Sequence, residues 1–354
     1  MERGCPRKKS VIVGAGPAGS AAARAAAESG ANVVVVERRS KIGVPVQCAE
    51  YIPAPLLGRV DLKKDFITQS VRGMRTILPD GDVKETVAPG FTIRRDLFDQ
   101  ALGRAAASAG ANIFLSTRAL SLDDGDVVVK GKDGFRARIK ATVIIGADGP
   151  RSRVGRWIGS VNRNLIPAVQ IRVPLTSPLE YTEVYFDKDF YGGYGWLFPK
   201  GHEANVGVGR KKRTTGDEPI EKELGRFVSR LTAEGKIRKE ATKTFAGWIP
   251  AEPMRKLTRD NILLVGDAGG QTHPITGAGI AQAVICGQMA GRTAASVAEK
   301  GDLSLLSEYE KEWQDFFGQT LERAHGRRTM LEKNWDQLES VIKICWVAFR
   351  EYYA

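Results

Sequence analysis

The 354-residue sequence predicts an α/β protein in which a parallel β-α-β domain is interleaved with a mainly antiparallel β domain and followed by a C-terminal helical region. Three observations support this fold. Near the N-terminus, short apolar runs flank an Ala-rich helical stretch. Two later apolar runs, at residues 143 and 261, each end in a turn of Asp and Gly. Between these segments, Asp-Gly pairs at residues 80, 124 and 133 separate short β-type runs, as in hairpins.

The composition is that of a soluble globular protein with a basic surface. Apolar residues make up 42% of the chain and charged residues 27%, with a formal net charge of +12. The basic residues are scattered and accompany no nucleic-acid-binding motif, so we interpret them as solvated surface charge. Such an excess can also favour an anionic partner, for example an acidic protein, a phosphorylated small molecule or a membrane surface. No uninterrupted apolar run reaches 18 residues, and the N-terminus lacks the apolar core of a signal peptide. The four cysteines show no CxxC spacing, which predicts a reducing cytoplasm and no structural metal.

The first element, residues 10–37, has the pattern of a dinucleotide-binding β-α-β unit. A strand leads into a turn with Gly14, Gly16 and Gly19, and an Ala-rich helix and a second strand ending at Glu37 follow. In such a Rossmann-like turn the glycines permit the tight bend, the approach of a pyrophosphate and close helix packing. Glu37 stands where an acidic side chain accepts hydrogen bonds from a ribose. We therefore predict a dinucleotide cofactor.

Two further segments narrow the choice of cofactor. The sequence VIIGADGPRSR contains Asp148 and Gly149, and NILLVGDAGGQTHPITGAGI contains Asp267, Gly277 and Gly279. Behind GxGxxG, these segments resemble the three fingerprints of p-hydroxybenzoate hydroxylase-type flavoproteins. The resemblance implies FAD, with Asp267 contacting the ribityl and pyrophosphate groups and Gly277 to Gly279 near the isoalloxazine. FTIRRDLFDQAL matches the same class, and the resemblance implies that Arg95 lies near the cofactor; the alternative is a plain surface arginine.

The positions of these fingerprints predict the domain organisation. Residues 1–60, 92–160 and 255–300 are expected to form a discontinuous FAD-binding domain. Residues 61–91 and 161–254 would form the substrate-binding β domain, and residues 301–354 the helical region.

The stretch YGGYGWLFPK, at residues 191–200, is unusually rich in aromatic residues. It contains Tyr194, Trp196, Phe198 and Pro199 in the pattern YxWxFP, which resembles the geranylgeranyl reductase family. This resemblance implies the reduction of C=C bonds in polyprenyl compounds. Alternation places the three rings on one side of a strand, where they would suit a hydrocarbon substrate. A half-buried structural strand is the alternative.

The segment IGVPVQCAEYIP is also similar to this family and implies that Cys48 lies close to the flavin. Reduction of an isolated alkene requires proton delivery together with hydride addition, so Cys48 is the candidate catalytic proton donor. Tyr194 and water are alternative proton donors, and the structural alternative is that Cys48 is a small buried thiol.

The electron donor is expected to be NADPH or an acidic ferredoxin, the latter because the surface is basic.

Two other functions share the FAD fingerprints. An FAD-dependent aromatic monooxygenase or halogenase would need oxygen, and an electron-transfer flavoprotein would reduce a quinone without saturating an alkene.

The apolar stretch VIKICWVAF, at residues 341–349, is expected to pack on the body of the protein. Its alternative role is peripheral contact with a membrane that holds the lipid substrate.

Overall fold

The computed structural model describes residues 9–213, 218–238, 240, 243–254 and 256–354. The strands are β1 (Lys9–Val13), β2 (Asn32–Val36), β3 (Tyr51–Pro53), β4 (Ile67–Ile77), β5 (Val83–Ile93), β6 (Asn112–Phe114), β7 (Arg118–Asp123), β8 (Asp126–Lys130), β9 (Arg136–Ile139), β10 (Val143–Gly146), β11 (Leu165–Pro174), β12 (Tyr181–Tyr185), β13 (Tyr194–Lys200), β14 (Glu203–Gly209), β15 (Lys243–Pro250), β16 (Thr258–Arg259) and β17 (Ile262–Leu264). The α-helices are α1 (Pro17–Glu28), α2 (Arg95–Ser108), α3 (Arg153–Trp157), α4 (Ile220–Ala233), α5 (Ile280–Lys300), α6 (Leu306–Trp313), α7 (Gln319–Lys333) and α8 (Leu338–Cys345).

The first sheet has the strand order β16-β17-β10-β1-β2-β6 and is parallel except for the pairing of β16 with β17. Its central strands are continuous apolar runs because the sheet is covered by other elements. Helices α1 and α5 pack closely through small residues. A Cβ atom at Gly291 would collide with the carbonyl oxygen of Ala22, so glycine permits this approach. The α/β fold class of the sequence analysis is confirmed.

The second sheet has the order β15-β11-β14-β13-β12-β4-β5-β3, with antiparallel pairing except between β12 and β4. Strand β13, which carries the YxWxFP pattern, is central. Helix α4 covers one face, where Phe227 packs among Tyr185 and Leu197. Strand β3 lies inside the stretch predicted for the FAD-binding domain, yet it is the edge strand of this second sheet. A third sheet, β7-β8-β9, is a small antiparallel one.

The C-terminal region is helical: α6 packs on the core of the first sheet, whereas α8 and the residues after it pack against the second sheet. Trp346 contacts the rings of Phe186 and Tyr194, with centroid distances of 5.0 and 5.4 Å, and its indole N–H donates to Thr76 Oγ1 at 2.8 Å. Ile342 and Cys345 are buried in the same cluster. The apolar stretch at 341–349 therefore packs on the body of the protein. In the described part of the chain, no helix has both the length and the apolar character needed to cross a bilayer.

Candidate functional site

The turn between β1 and α1 is shaped by its three glycines. Gly14 adopts φ +103°, and a Cβ atom there would collide with the carbonyl oxygen of Ala147. A Cβ atom at Gly19 would collide with the carbonyl oxygen of Gly14. The Cβ position of Gly16, by contrast, faces open space just before α1 begins at Pro17. A pyrophosphate fits this arrangement, because backbone and helix N-terminus can approach it without obstruction by side chains.

Glu37 holds this turn from the end of β2. Its two carboxylate oxygens accept hydrogen bonds from the backbone N–H groups of Ala15 and Arg39, both at 2.8 Å. Each oxygen keeps a further lone pair, so a ribose hydroxyl can still donate to the carboxylate. The structure thus places Glu37 beside the glycine turn, and its ribose contact stays a prediction.

Asp148 and Gly149 form the turn after β10, against the Gly14 turn. The Asp148 carboxylate accepts from Ser152 Oγ at 2.5 Å and from the backbone N–H of Arg153 at 2.6 Å, which fixes the start of α3. Gly149 adopts φ +84°, a left-handed conformation that glycine takes without strain. The observed contacts of Asp148 therefore order the loop at the carboxyl end of β10.

The loop after β17 brings Asp267, Gly277 and Gly279 together. Asp267 accepts from Thr272 Oγ1 at 2.9 Å, and a Cβ atom at Gly279 would lie 3.3 Å from Asp267 Oδ1. Burial raises the pKa of Asp267, while the Thr272 hydrogen bond and the charge of Arg95 oppose the rise. Gly277 adopts φ +65°, and a Cβ atom there would lie 3.3 Å from Ile249 and 4.0 Å from the Tyr194 hydroxyl. This loop therefore meets strand β13.

Arg95 opens α2, and its charge acts on both Cys48 and Asp267. Its Nε donates to Asp99 Oδ1 at 2.6 Å, and its side chain is largely buried. Burial raises the pKa of the Cys48 thiol, and the nearby guanidinium of Arg95 counteracts this rise. Arg95 is consequently an internal cation of this region and not a plain surface arginine.

The loop that carries Cys48 is tied to the second sheet by side-chain hydrogen bonds from both partners. Gln47 Nε2 donates to the carbonyl oxygen of Ala246 at 2.8 Å, and Gln170 Nε2 donates to that of Cys48 at 2.7 Å. Asn205 Nδ2 donates to the carbonyl oxygen of Ala49 at 3.0 Å. The half-buried Cys48 sulfur is therefore fixed relative to the antiparallel sheet as well as to α2.

The aromatic side chains of β13 share one face, but they have different neighbours. The Tyr194 hydroxyl donates to the carbonyl oxygen of Thr276 at 2.5 Å, in the loop that holds Gly277. The Trp196 indole is buried and donates to Gln170 Oε1 at 3.2 Å, so it supports the side chain that holds Cys48. Phe198 lies 6.2 Å from the ring of Tyr51. Tyr194 thus approaches the predicted cofactor loop, whereas the Trp196 indole is buried on the face of the sheet, next to Gln170.

Next on the same face of β13 is Lys200, which is buried and paired with Glu50. Neither this ion pair nor the two amides, Gln170 and Asn205, is predicted from the sequence. Glu50 follows Cys48 by two residues and Lys200 follows Phe198 by two, so proximity to those motifs was the available clue. The amides carry no such spacing pattern, because their role arises from strand pairing.

His273 joins the predicted cofactor loop to the C-terminal region. Its backbone N–H donates to the carbonyl oxygen of Ala278 at 2.9 Å, and its Nδ1 accepts from the N–H of Thr276 at 3.3 Å. Its Nε2 lies 3.4 Å from the hydroxyl of Tyr352. Burial lowers the pKa of His273 to about 4. Among the described residues, no group of three His, Cys, Asp or Glu side chains is arranged to hold a metal ion.

Comparison with known proteins shows the family of the chain. Residues 80–324 match the family model described as FAD binding domain, and residues 10–149 match FAD dependent oxidoreductase. A digeranylgeranylglycerophospholipid reductase of Methanothrix thermoacetophila is 39% identical, over 88% of this chain and 84% of that protein. A digeranylgeranylglycerophospholipid reductase of Methanopyrus kandleri is 37% identical, over 91% and 90% of the two chains.

Among solved structures, a geranylgeranyl bacteriochlorophyll reductase-like protein from Thermoplasma acidophilum superposes with a TM-score of 0.85. It is 28% identical and covers 98% of this chain and 94% of its own. A flavin-dependent brominase has a TM-score of 0.74 at 17% identity, over 95% and 89% of the chains. The likeness to the brominase extends to the fold alone.

Proposed function

The chain is an FAD-dependent oxidoreductase of the digeranylgeranylglycerophospholipid reductase family, and we propose that it saturates isolated C=C bonds in a geranylgeranyl lipid. The observation that carries this proposal is a meeting of three segments. The Tyr194 hydroxyl donates to Thr276 in the Asp267–Gly279 loop. The charge of Arg95 acts on both Cys48 and Asp267, which relates the Cys48 loop to the same region. A proton source, an apolar wall and a cofactor loop are the parts that alkene reduction requires.

The two hydrogens of the reduction come from different sources. Bound in its reduced form, FAD would supply a hydride. Cys48 would deliver the proton to the other alkene carbon, which completes the addition of two hydrogens. The resulting thiolate would then be reprotonated from solvent. Because burial raises its pKa, the Cys48 thiol keeps its proton at neutral pH, as a donor must. The Tyr194 proton is engaged by Thr276 O, which makes this hydroxyl the weaker candidate.

The substrate would be bound mainly through its hydrocarbon chain. Tyr194, Phe198 and Ile249 present partly buried apolar groups beside the Gly277 turn and the Cys48 loop. Burial of hydrocarbon stabilises a complex by about 25 cal/mol per Å² and needs few polar partners. Trp196 would act indirectly, through Gln170.

The redox partner is proposed to be NADPH or a ferredoxin, and the basic surface favours an acidic protein. We further propose a cytoplasmic enzyme with peripheral membrane contact. Exposed Lys343, Ile344, Arg350 and Tyr353 lie on the C-terminal region and combine apolar and cationic groups suited to an anionic bilayer surface. Salt-sensitive co-sedimentation with anionic vesicles is expected, and its absence would refute the membrane contact.

The proposal is tested by anaerobic incubation of dithionite-reduced, FAD-loaded protein with digeranylgeranylglycerophospholipid and with geranylgeranyl diphosphate. Mass spectrometry should detect the addition of hydrogen pairs in at least one substrate. Cys48→Ala should retain FAD and lose most of the turnover. If both substrates stay unchanged while the flavin remains reduced, the proposed reduction is wrong, and oxygen and quinones become the acceptors to examine.

A further inference from the structure

Glu50 has a backbone conformation that is unusual for a side-chain-bearing residue. It is 1% exposed and adopts φ +69°, in the left-handed region. This conformation costs roughly 1–2 kcal/mol in a residue other than glycine. In this conformation its backbone N–H donates to Cys48 Sγ at 3.2 Å. The strained turn thus directs a hydrogen bond at the sulfur.

The Glu50 side chain fixes this turn from several directions. Its Oε1 accepts from the backbone N–H of Arg95, at the start of α2, at 2.9 Å. Its Oε2 accepts from Arg172 Nη2 at 2.7 Å, from Asn205 Nδ2 at 3.0 Å and from Lys200 Nζ. These three partners lie on β11, β14 and β13. One buried carboxylate therefore ties the Cys48 loop to a helix and to three strands.

The charges make this anchor specific for a carboxylate. Arg172 and Lys200 bring two cations to one anion, and the helix N-terminus adds partial positive charge. Burial lowers the pKa of Lys200, and the charge of Glu50 opposes that change. Removal of the carboxylate alone leaves the buried Lys200 and the half-buried Arg172 without their shared partner, which is unfavourable.

We propose that Glu50 is a positioning residue for Cys48: its anchored side chain maintains the left-handed turn that aims the Glu50 N–H at the sulfur. This inference rests on the proposed function, in which Cys48 delivers a proton. Glu50 itself touches neither the lipid nor the flavin in this role. It acts by setting where the sulfur points.

The test compares alkylation of Cys48 by iodoacetamide with lipid reduction in the same FAD-loaded proteins. Peptide mass spectrometry identifies the modified cysteine, and flavin absorbance gives the FAD content. In Glu50→Ala the side-chain anchors are lost while the backbone strain persists. We expect alkylation to become at least tenfold faster and turnover at least tenfold slower, with FAD content unchanged. If Glu50→Ala does not fold, Glu50→Gly serves instead, because glycine accepts this φ angle but provides no anchor.

Two further variants isolate the role of position. The double variant Glu50→Gln with Lys200→Met removes one anion and one cation, so the charge of the cluster is preserved. Its single amide oxygen can still accept from Arg172 and Asn205, whereas the hydrogen bond from the Arg95 N–H is lost. Both rates should therefore lie between those of the parent protein and those of Glu50→Ala. Glu183→Ala removes another buried carboxylate, paired with Lys236 at 2.7 Å on the opposite face of the same sheet. It should leave Cys48 alkylation unchanged.

Unchanged alkylation in both Glu50→Ala and Glu50→Gly would overturn the inference. Equal acceleration in Glu183→Ala would also overturn it, because a general loosening of the sheet would then explain the effect. The proposed function fails separately: if Cys48→Ala keeps full turnover, the proton-donor role is lost, whereas the alkylation contrast still decides whether Glu50 positions the sulfur.

Discussion

The glycine turn at residues 14–19 and the Cys48 loop are built in opposite ways. Backbone geometry shapes the glycine turn, in which added Cβ atoms at Gly14 and Gly19 would strike main-chain oxygens. The Cys48 loop has no comparable local rule. It is held by the side chains of Gln170 and Asn205 from the second sheet, and by the Glu50 ion cluster. The glycine turn depends on the absence of side chains, whereas the Cys48 loop depends on bonds to residues that are distant in sequence.

This difference predicts different sensitivities. The glycine turn should fail after the addition of a single methyl group and should tolerate changes elsewhere. The Cys48 loop should respond to substitutions more than 100 positions away along the chain, because its partners Gln170 and Asn205 lie that far off. The His273 loop is intermediate, since its local backbone bonds are combined with a contact to Tyr352 in the C-terminal region.

The largest effect is expected from Gly19→Ala. The new methyl group would collide with the Gly14 carbonyl oxygen and displace α1 from the turn. FAD affinity should fall at least about 100-fold, because the phosphate-binding backbone is displaced. Titration of the apoprotein with FAD, followed by flavin fluorescence, measures the change.

The matched control is Gly225→Ala, in the exposed part of α4, where the Cβ position has open space. It should leave FAD affinity unchanged and raise stability by roughly 0.5–1 kcal/mol, since alanine favours helix more than glycine does. Equal loss of FAD in both variants would show that backbone packing at Gly19 is not decisive.

The second effect concerns pH and His273. Its pKa is about 4 in the folded protein and lies near 6.5 when unfolded. Between pH 6.5 and 4, His273 is therefore protonated in the unfolded chain but neutral in the folded protein. The free energy of unfolding decreases as the pH falls through this range. The contribution is on the order of 3 kcal/mol. His273→Gln should reduce the loss of stability between pH 7 and 4.5, measured by thermal unfolding of the FAD-loaded protein.

His202, exposed in the turn between β13 and β14, provides the control. His202→Gln should unfold with the same pH dependence as the parent protein. If His273→Gln also shows the parental dependence, His273 does not contribute to acid sensitivity. The His273 loop is then stabilised by its backbone hydrogen bonds alone.

The smallest effect is expected from Gln170→Ala. This change removes the hydrogen bond to the Cys48 carbonyl oxygen and leaves the Trp196 indole N–H without its partner. Loss of one or two such bonds costs about 1–2 kcal/mol, so lipid reduction should slow by about tenfold while FAD affinity stays unchanged. Steady-state reduction assays and FAD titration measure the two quantities.

Gln69→Ala is the corresponding control, because Gln69 lies on β4 of the same sheet and its Nε2 also donates to a loop backbone oxygen, that of Leu179, at 2.6 Å. It should leave turnover within about twofold. A Gln170→Ala variant that lost FAD instead of turnover would contradict the separation between the two loops.

The features that could be predicted from the sequence are those that short local patterns determine, whereas contacts between distant residues could not be predicted. The α/β class, the FAD cofactor and the family were accessible because glycine turns and YxWxFP are short patterns that recur at fixed spacing. The mainly antiparallel second domain was also anticipated. The neighbours of Trp196 were not, because periodicity identifies the face of a strand but not what packs on that face. Helix α4 and the burial of Tyr194 under Trp346 likewise depend on which elements meet in space.

The sequence by itself determined the places where backbone had to approach backbone or phosphate, since only glycine satisfies those steric demands and its positions can be read directly. It also determined the sulfur and the rings available for chemistry. Only the tertiary structure decided their surroundings: Cys48 near the Arg95 cation, Lys200 against Glu50, and Trp196 on Gln170. Electrostatic and hydrogen-bond partners act over a few ångströms, and strand pairing brings residues that are far apart in sequence within that range.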